Sequence, residues 1–366
     1  MWPNCCGTGR TPKTVSRPPH PPSPQKTNPR RWTSDQALIT ADRLTAWSDP
    51  LTPPIETWQQ ALPHGITLSC RACGDRGRPV LMFLHGFPEA AFVWDELLTH
   101  FARPENGGYR CVAPNLRGYE LSSAPTDVKD YRAKFLVQDI VALIDTECGD
   151  QPLAALVAHD WGGAVAWNVA NQHPERMRQL VIINSPHPAP FLKAMQSDPA
   201  QQAASAYMSF LVQPHAAAQL AADGFAQLLG FLRGDDEQLS GKHSLAATAA
   251  PWLTPEVEEQ YRFVWSQGLE GGLNYYRASP LRPITATEDF ISAMVLPPEI
   301  LRIDVPTLVL WAQDDIALRP CLTEGLDQHV PDLTLVPIEN ATHWVVHEHP
   351  DRVIAEISRF LQRPVQ

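Results

Sequence analysis

Asp160, His343 and Asp315 have the residue types and chain order of a catalytic set. Asp160 sits in Leu153–Gly163 (LAALVAHDWGG), which reads as a short apolar strand, a tight turn and a helix. Ala158 and Gly162 flank it at two residues' distance, so a strained strand-to-helix turn can form without side-chain collision and hold the middle residue up at the end of a sheet. An aspartate at such a position could merely cap the helix, but the buried strand before it and the small residues around it favour a nucleophile. The residue type selects the chemistry. A serine alkylated at a saturated carbon becomes an ether that water does not readily cleave, whereas an aspartate becomes an ester that water can hydrolyse.

Three further signals end predicted strands. His85-Gly86-Phe87-Pro88 follows Pro79–Leu84 (PVLMFL); the loop can aim the Phe87 N–H, together with that of Trp161, at an oxyanion. His85 and Pro88 of this loop are expected to contact substrate, and the Phe87–Pro88 peptide is expected to be cis. Asp315, with Asp314 as the neighbouring candidate, closes Leu308–Asp315 (LVLWAQDD) and could orient a histidine. His343 in Asn340–Trp344 (NATHW) would be that histidine. With His347 and His349 it forms a string that mimics metal ligands, but no HExxH or carboxylate cluster accompanies it, and no metal is expected.

These loops need a scaffold. From about residue 57 strand-like and helix-like segments alternate: two antiparallel edge strands within Thr57–Cys73, then strands at Pro79–Leu84, Tyr109–Ala113, Met177–Asn184, Thr307–Trp311 and Leu333–Ile338. Helical spacing covers Phe92–Ala102, Phe135–Thr146 and Asp351–Leu361. The rhythm predicts an α/β fold with a mostly parallel sheet. It breaks at Ser185-Pro186-His187-Pro188 for about a hundred helical residues. The expected organisation is an extension over 1–54, a core over 55–186 and 296–366, and an inserted helical cap over 187–295.

The chain has 366 residues, 44% of them hydrophobic and 19% charged, as for an ordinary globular enzyme. A net charge of −11 argues against nucleic acid or an anionic membrane surface as partner. Residues 1–34 carry six basic and no acidic side chains; this proline-rich stretch lacks apolar periodicity and is expected to be disordered. No apolar run reaches the length of a signal peptide or membrane span. Seven scattered cysteines suggest reduced thiols and a cytoplasmic location. Cys70-Arg71-Ala72-Cys73 has redox spacing but lies in an alternating strand pattern, which favours a packing role. Cys5 and Cys6 have no partner pattern.

Taken together, HGFPE (His85–Glu89), RGY (Arg117–Tyr119), HDWGG (His159–Gly163), the WAQDD loop and THW resemble the epoxide hydrolase branch of the α/β-hydrolase superfamily, over about residues 57–362. The resemblance implies an eight-stranded sheet with a helical cap, Asp160 as nucleophile, His343 as general base, Asp315 as its partner, and backbone donors at Phe87 and Trp161. It also implies two cap tyrosines. Tyr207 and Tyr276 are the candidates, with Tyr275 packing beside Tyr276. The substrate would be a small apolar epoxide, with water as second reactant and no cofactor; the chain would be a monomer or homodimer. Glu120 departs from the family's RGYG, so the turn there must tolerate a side chain or differ. The same Asp–His–Asp set also serves haloalkane dehalogenases, which hold the halide with N–H donors such as Trp161 and Trp252 or Trp265. A non-catalytic ligand-binding relative is a third reading.

Overall fold

The computed structural model describes residues 53–234, 250–283 and 291–363. Nearly all of the N-terminal extension, with Cys5 and Cys6, lies outside them. The described strands are β1 (Glu56–Ala61), β2 (Thr67–Cys73), β3 (Val80–Leu84), β4 (Arg110–Pro114), β5 (Ala155–His159), β6 (Leu180–Ile183), β7 (Thr307–Ala312) and β8 (Leu333–Ile338). They form one sheet in the order β1-β2-β4-β3-β5-β6-β7-β8. β2 pairs antiparallel with β1 and β4, and every other pairing is parallel. Only β1 of the N-terminal pair is an edge. β2 lies inside the sheet, a correction to the expectation of two edge strands.

Burial follows the sequence pattern. β3 (VLMFL), β5 (ALVAH), β6 (LVII) and β7 (TLVLWA) are buried at every position, as continuous apolar runs covered on both faces require. Each fully buried Leu, Ile, Val or Met contributes about 1.5–3 kcal/mol relative to exposure. The edge strand β8 is only partly covered. Cys70 and Cys73 are both buried in β2, and burial pushes both thiols up. Three residues apart on one strand, they face opposite sides of the sheet and cannot pair.

Between β6 and β7 the described residues form helices and turns, among them Pro188–Ser197, Tyr207–Leu211, Ala226–Arg233, Pro255–Ser266 and Glu270–Ala278. The sequence sets these locally. The Thr254 hydroxyl accepts from Val257 N, Pro255 occupies the first turn, and Glu256 and Glu258 face the positive helix end.

Because β3, β5, β6, β7 and β8 run in one direction, the loops after them emerge at one edge. These loops carry His85–Glu89, Asp160, Asn184–Ser185, Asp315 and His343, so the fold itself gathers residues distant in sequence. Glu120 keeps a positive φ of 47°. Its carboxylate accepts from Asn115 Nδ2 and from Ser69 Oγ at 3.1 Å, so the side chain replaces glycine's freedom with hydrogen bonds.

Candidate active site

β5 ends at His159, and the chain turns at Asp160 into the helix Asp160–Gln172. Asp160 has φ 48°, a left-handed conformation that costs a non-glycine residue about 1–2 kcal/mol. Two hydrogen bonds offset it. Phe87 N donates to Asp160 Oδ1 at 2.8 Å, and Ser185 Oγ donates to the Asp160 carbonyl at 2.7 Å. The glycines around the turn are there for space. A Cβ on Gly86 would lie 2.4 Å from Asp160 Oδ1, one on Gly162 would lie 2.4 Å from the Leu84 carbonyl oxygen, and one on Gly163 would lie 2.3 Å from the Ser185 side chain.

His343 Nδ1 is 2.7 Å from Asp315 Oδ2, and its Nε2 is 3.7 Å from Asp160 Oδ2. Asp315 is the histidine's partner; Asp314 is exposed. Ala317 N and Leu318 N donate to Asp315 Oδ1 at 2.9 and 2.8 Å, and Asn184 Nδ2 donates to its Oδ2 at 2.8 Å. Burial alone would raise the Asp315 pKa, but the His343 charge and these donors outweigh it and hold it below the ordinary value. For His343, burial alone would lower the pKa; the Asp315 carboxylate, then Asp160, outweigh it and raise it to about 9. Phe87 N thus binds one oxygen of Asp160 while the other faces the imidazole. Trp161 is the second residue of its helix, where N–H groups have no internal partner.

Asp160 and His343 line a cavity of about 850 Å³, its open mouth included, together with Tyr207 and Tyr276. The rings of Tyr207 and Tyr276 meet edge-on at 6.2 Å, and Tyr276 stands edge-on to Phe87 at 5.3 Å and to Trp161 at 5.0 Å. Burial, then the Asp160 charge, raises the Tyr207 pKa; burial, then Tyr207 and Asp160, raises that of Tyr276. Both phenols therefore keep their protons. Tyr275 packs away from the cavity, its hydroxyl donating to the Arg117 carbonyl at 2.9 Å.

Two expected contacts are corrected. His85 is fully buried; its Nδ1 lies 2.9 Å from the Gly86 carbonyl and its Nε2 accepts from Leu116 N at 3.0 Å. With both ring nitrogens on backbone, it shapes the loop that presents Phe87 rather than touching substrate. Burial lowers its pKa to about 4, so it stays neutral. Pro88, after a cis peptide bond, lines a separate small crevice, and its carbonyl accepts the Trp265 indole N–H at 2.7 Å. That bond removes Trp265 as a halide donor. His347 and His349, spaced like ligands, bind separate partners, Glu89 and the Asn340 carbonyl. Among the described residues no three His, Cys, Asp or Glu side chains converge as a metal site.

Sequence reasoning missed Glu89. Buried behind the site, it meets His159 Nδ1 at 3.2 Å, His347 Nε2 at 2.7 Å and the Tyr261 hydroxyl at 2.9 Å. His159 Nε2 reaches the His343 carbonyl at 2.9 Å, tying the network to His343. Burial alone would push the Glu89 carboxyl up, but the hydrogen bonds from His159 and His347 outweigh it and hold it well below the usual range. Its position directly after His85-Gly86-Phe87-Pro88 was the available signal.

The family model for the alpha/beta hydrolase fold matches residues 79–350. Mouse epoxide hydrolase 4 is 30% identical over 305 residues, covering 81% of this chain and 77% of its own. The chain belongs to the epoxide hydrolase family. Among solved structures, an epoxide hydrolase from metagenomes of hot environments is 37% identical, with TM-score 0.70 over 84% of this chain and 99% of that one. The Bacillus megaterium epoxide hydrolase in complex with an inhibitor is 27% identical, with TM-score 0.72 over 84% and 100%. Membership makes the chain a hydrolase of the α/β-hydrolase superfamily. Among the described residues no helix is long and apolar enough to cross a membrane.

Proposed function

We propose that this family member hydrolyses epoxides to vicinal diols through a covalent ester on Asp160. The observation that carries the reading is the meeting of four groups at one cavity: Asp160, His343 and the hydroxyl-bearing Tyr207 and Tyr276. Asp160 Oδ2, the oxygen not bound by Phe87 N, attacks an epoxide carbon and the carbon–oxygen bond of the ring breaks. The departing oxygen takes a proton from one of the paired tyrosines, the other donating a hydrogen bond, which leaves a phenolate and a β-hydroxyalkyl ester.

Esterification cancels the Asp160 charge and so weakens the hold on the His343 proton, which passes to the phenolate and restores the tyrosine. The neutral imidazole, oriented by Asp315, removes a proton from water as the water oxygen attacks the ester carbon. The carbonyl oxygen, Oδ1, becomes the oxyanion and is already bonded to Phe87 N, with the Trp161 N–H as second donor. Collapse releases the diol, whose alkoxide takes the proton from His343; the carboxylic acid left at Asp160 then gives its proton to the imidazole, which restores the starting state. The paired hydroxyls, together with the engagement of the Trp265 N–H by Pro88, favour an oxygen leaving group over a halide.

Diol formation from styrene oxide by the wild type and by Asp160→Ala tests the reading, with halide release from haloalkanes as control. Loss of diol in the variant is expected; halide release without diol from the wild type would overturn it. A single turnover in heavy-oxygen water should place label in the Asp160 carboxylate, because water attacks the ester carbon.

A further inference from the structure

Gln201 lies in the short helix Pro199–Ala204, between β6 and β7 in the chain, and its side chain is fully buried. A buried carboxamide must find its hydrogen-bond partners inside the protein. Gln201 Nε2 donates to the Ala317 carbonyl at 2.8 Å and to Ser205 Oγ at 3.0 Å, and Oε1 accepts from Arg319 N at 3.2 Å. These partners fix the orientation of the amide. Reversing it would set oxygen against the Ala317 oxygen and N–H against the Arg319 N–H.

Ala317 and Arg319 belong to the turn that holds Asp315. The Ala317 carbonyl and the Leu318 N–H are the two ends of one planar trans peptide unit, so they point in opposite directions. On one side Gln201 holds the oxygen; on the other, Leu318 N donates to Asp315 Oδ1 at 2.8 Å. Gln201 therefore sets the rotation of a peptide plane that fixes Asp315, whose Oδ2 is 2.7 Å from His343 Nδ1. The following peptide is pinned too: Trp311 Nε1 donates to the Leu318 carbonyl at 3.2 Å while Arg319 N donates to Gln201. A second tie fastens the helix to the same turn. Asp198 accepts from Ala200 N through Oδ1 at 2.9 Å, which caps the helix, and pairs through Oδ2 with Arg319 Nη1 at 2.8 Å.

We propose that Gln201 is a positioning residue for the Asp315–His343 pair, acting through the Ala317–Leu318 peptide. It touches neither substrate nor the reacting atoms. The proposal rests on the reading of His343 as the base of ester hydrolysis. Without the amide the peptide is free to rotate, Asp315 loses one of its two Oδ1 donors, and the imidazole loses the alignment that water activation requires. Ring opening, in which the Asp315–His343 bond takes no part, should be spared.

The test reads that bond directly. At pH 6 the imidazole, with its pKa raised to about 9, is protonated, and its Nδ1 proton should give a far-downfield NMR signal in the full chain. Gln201→Met and Gln201→Asn, which cannot bridge Ala317 and Arg319, should lose it; either variant suffices where the other fails to fold. Gln201→Glu should keep it at pH 6, where burial holds the new carboxyl protonated, able to donate and accept. Ser205→Ala, which removes only the bond that does not reach the turn, should also keep it. With styrene oxide, Gln201→Met or Gln201→Asn should hydrolyse the ester about tenfold more slowly, with alkylation within about twofold. The covalent adduct would then accumulate in intact-protein mass spectra. A merely structural role would lower the thermal midpoint without that split. A retained signal in the Met or Asn variant, its loss in Gln201→Glu or Ser205→Ala, or equal slowing of both steps overturns the proposal. Failure of the epoxide reading shows separately: the wild type would form neither adduct nor diol, while the NMR contrast would persist.

Discussion

The backbone N–H of Phe87 donates to Asp160 Oδ1 at 2.8 Å before any substrate is present. In the proposed mechanism this donor, which would stabilise the oxyanion during ester hydrolysis, also aligns the carboxylate for attack. It leaves Oδ2 free of that bond, 3.7 Å from His343 Nε2. The two proposed half-reactions would then use one carboxylate without its rotating between them.

Removing the base should therefore block only the second half-reaction. His343→Gln is expected to be alkylated by epoxide and then to stall, with steady-state turnover about 10⁴-fold lower. Intact-protein mass spectrometry would show an adduct equal to the mass of the epoxide. Stalled turnover without an adduct would place His343 in ring opening as well.

Tyr207 and Tyr276 make the complementary prediction. Tyr207→Phe and Tyr276→Phe should each slow ring opening about 10²-fold, since one hydroxyl can still donate, and the double variant should lose nearly all activity. Pre-steady-state alkylation, followed by the quenching of tryptophan fluorescence, reads this step alone. Undiminished alkylation in the double variant would remove both residues from the mechanism.

The raised pKa of His343 has a definite sign in stability. A histidine whose pKa rises from 6.5 to about 9 on folding stabilises the fold fully below pH 6.5 and progressively less as pH climbs to about 9. Denaturant unfolding of the wild type and of His343→Gln at pH 6, 7.5 and 9.5 should show their difference shrinking with pH. In Asp160→Asn one of the raising charges is gone, so the imidazole titration followed by NMR should move downward.

Gly162 gives a packing prediction at the elbow. A methyl group there would sit 2.4 Å from the Leu84 carbonyl oxygen and 2.6 Å from that of His85, both backbone atoms. Neither strand nor loop can give way easily, so Gly162→Ala should destabilise the fold by about 3 kcal/mol. Thermal unfolding of the purified variant checks it; an unchanged midpoint would mean that the elbow is looser than its contacts indicate.

Much of this arrangement was legible because its signals are local. The buried runs PVLMFL and LAALVAH announce strands, and Ala158, Gly162 and Gly163 announce the space a tight turn needs. The ends of β5, β7 and β8 then name Asp160, Asp315 and His343. What stayed hidden depends on contacts between segments far apart. His85 looked like a substrate ligand because its ring nitrogens could reach a site; the fold instead spends them on Gly86 and Leu116 backbone. Glu89 and His347 are 258 positions apart, and no spacing rule links them. Glu120 looked like a defect in RGYG, but Asn115 and Ser69 supply partners that a glycine would not need.

The helix Pro255–Ser266 is fastened to the loop after β3 at two points along one face. Tyr261 is tied to Glu89, and four residues later Trp265 is tied to the Pro88 carbonyl. In mechanical terms this helix is a fixed jaw. Both bonds tie it to the loop that also presents Phe87 N to Asp160. The opposite jaw, Tyr207–Leu211 and Ala226–Arg233, brings Tyr207 and Phe231 to the cavity. Amide exchange at Tyr261 and Trp265 should therefore be as slow as in β3 and β5.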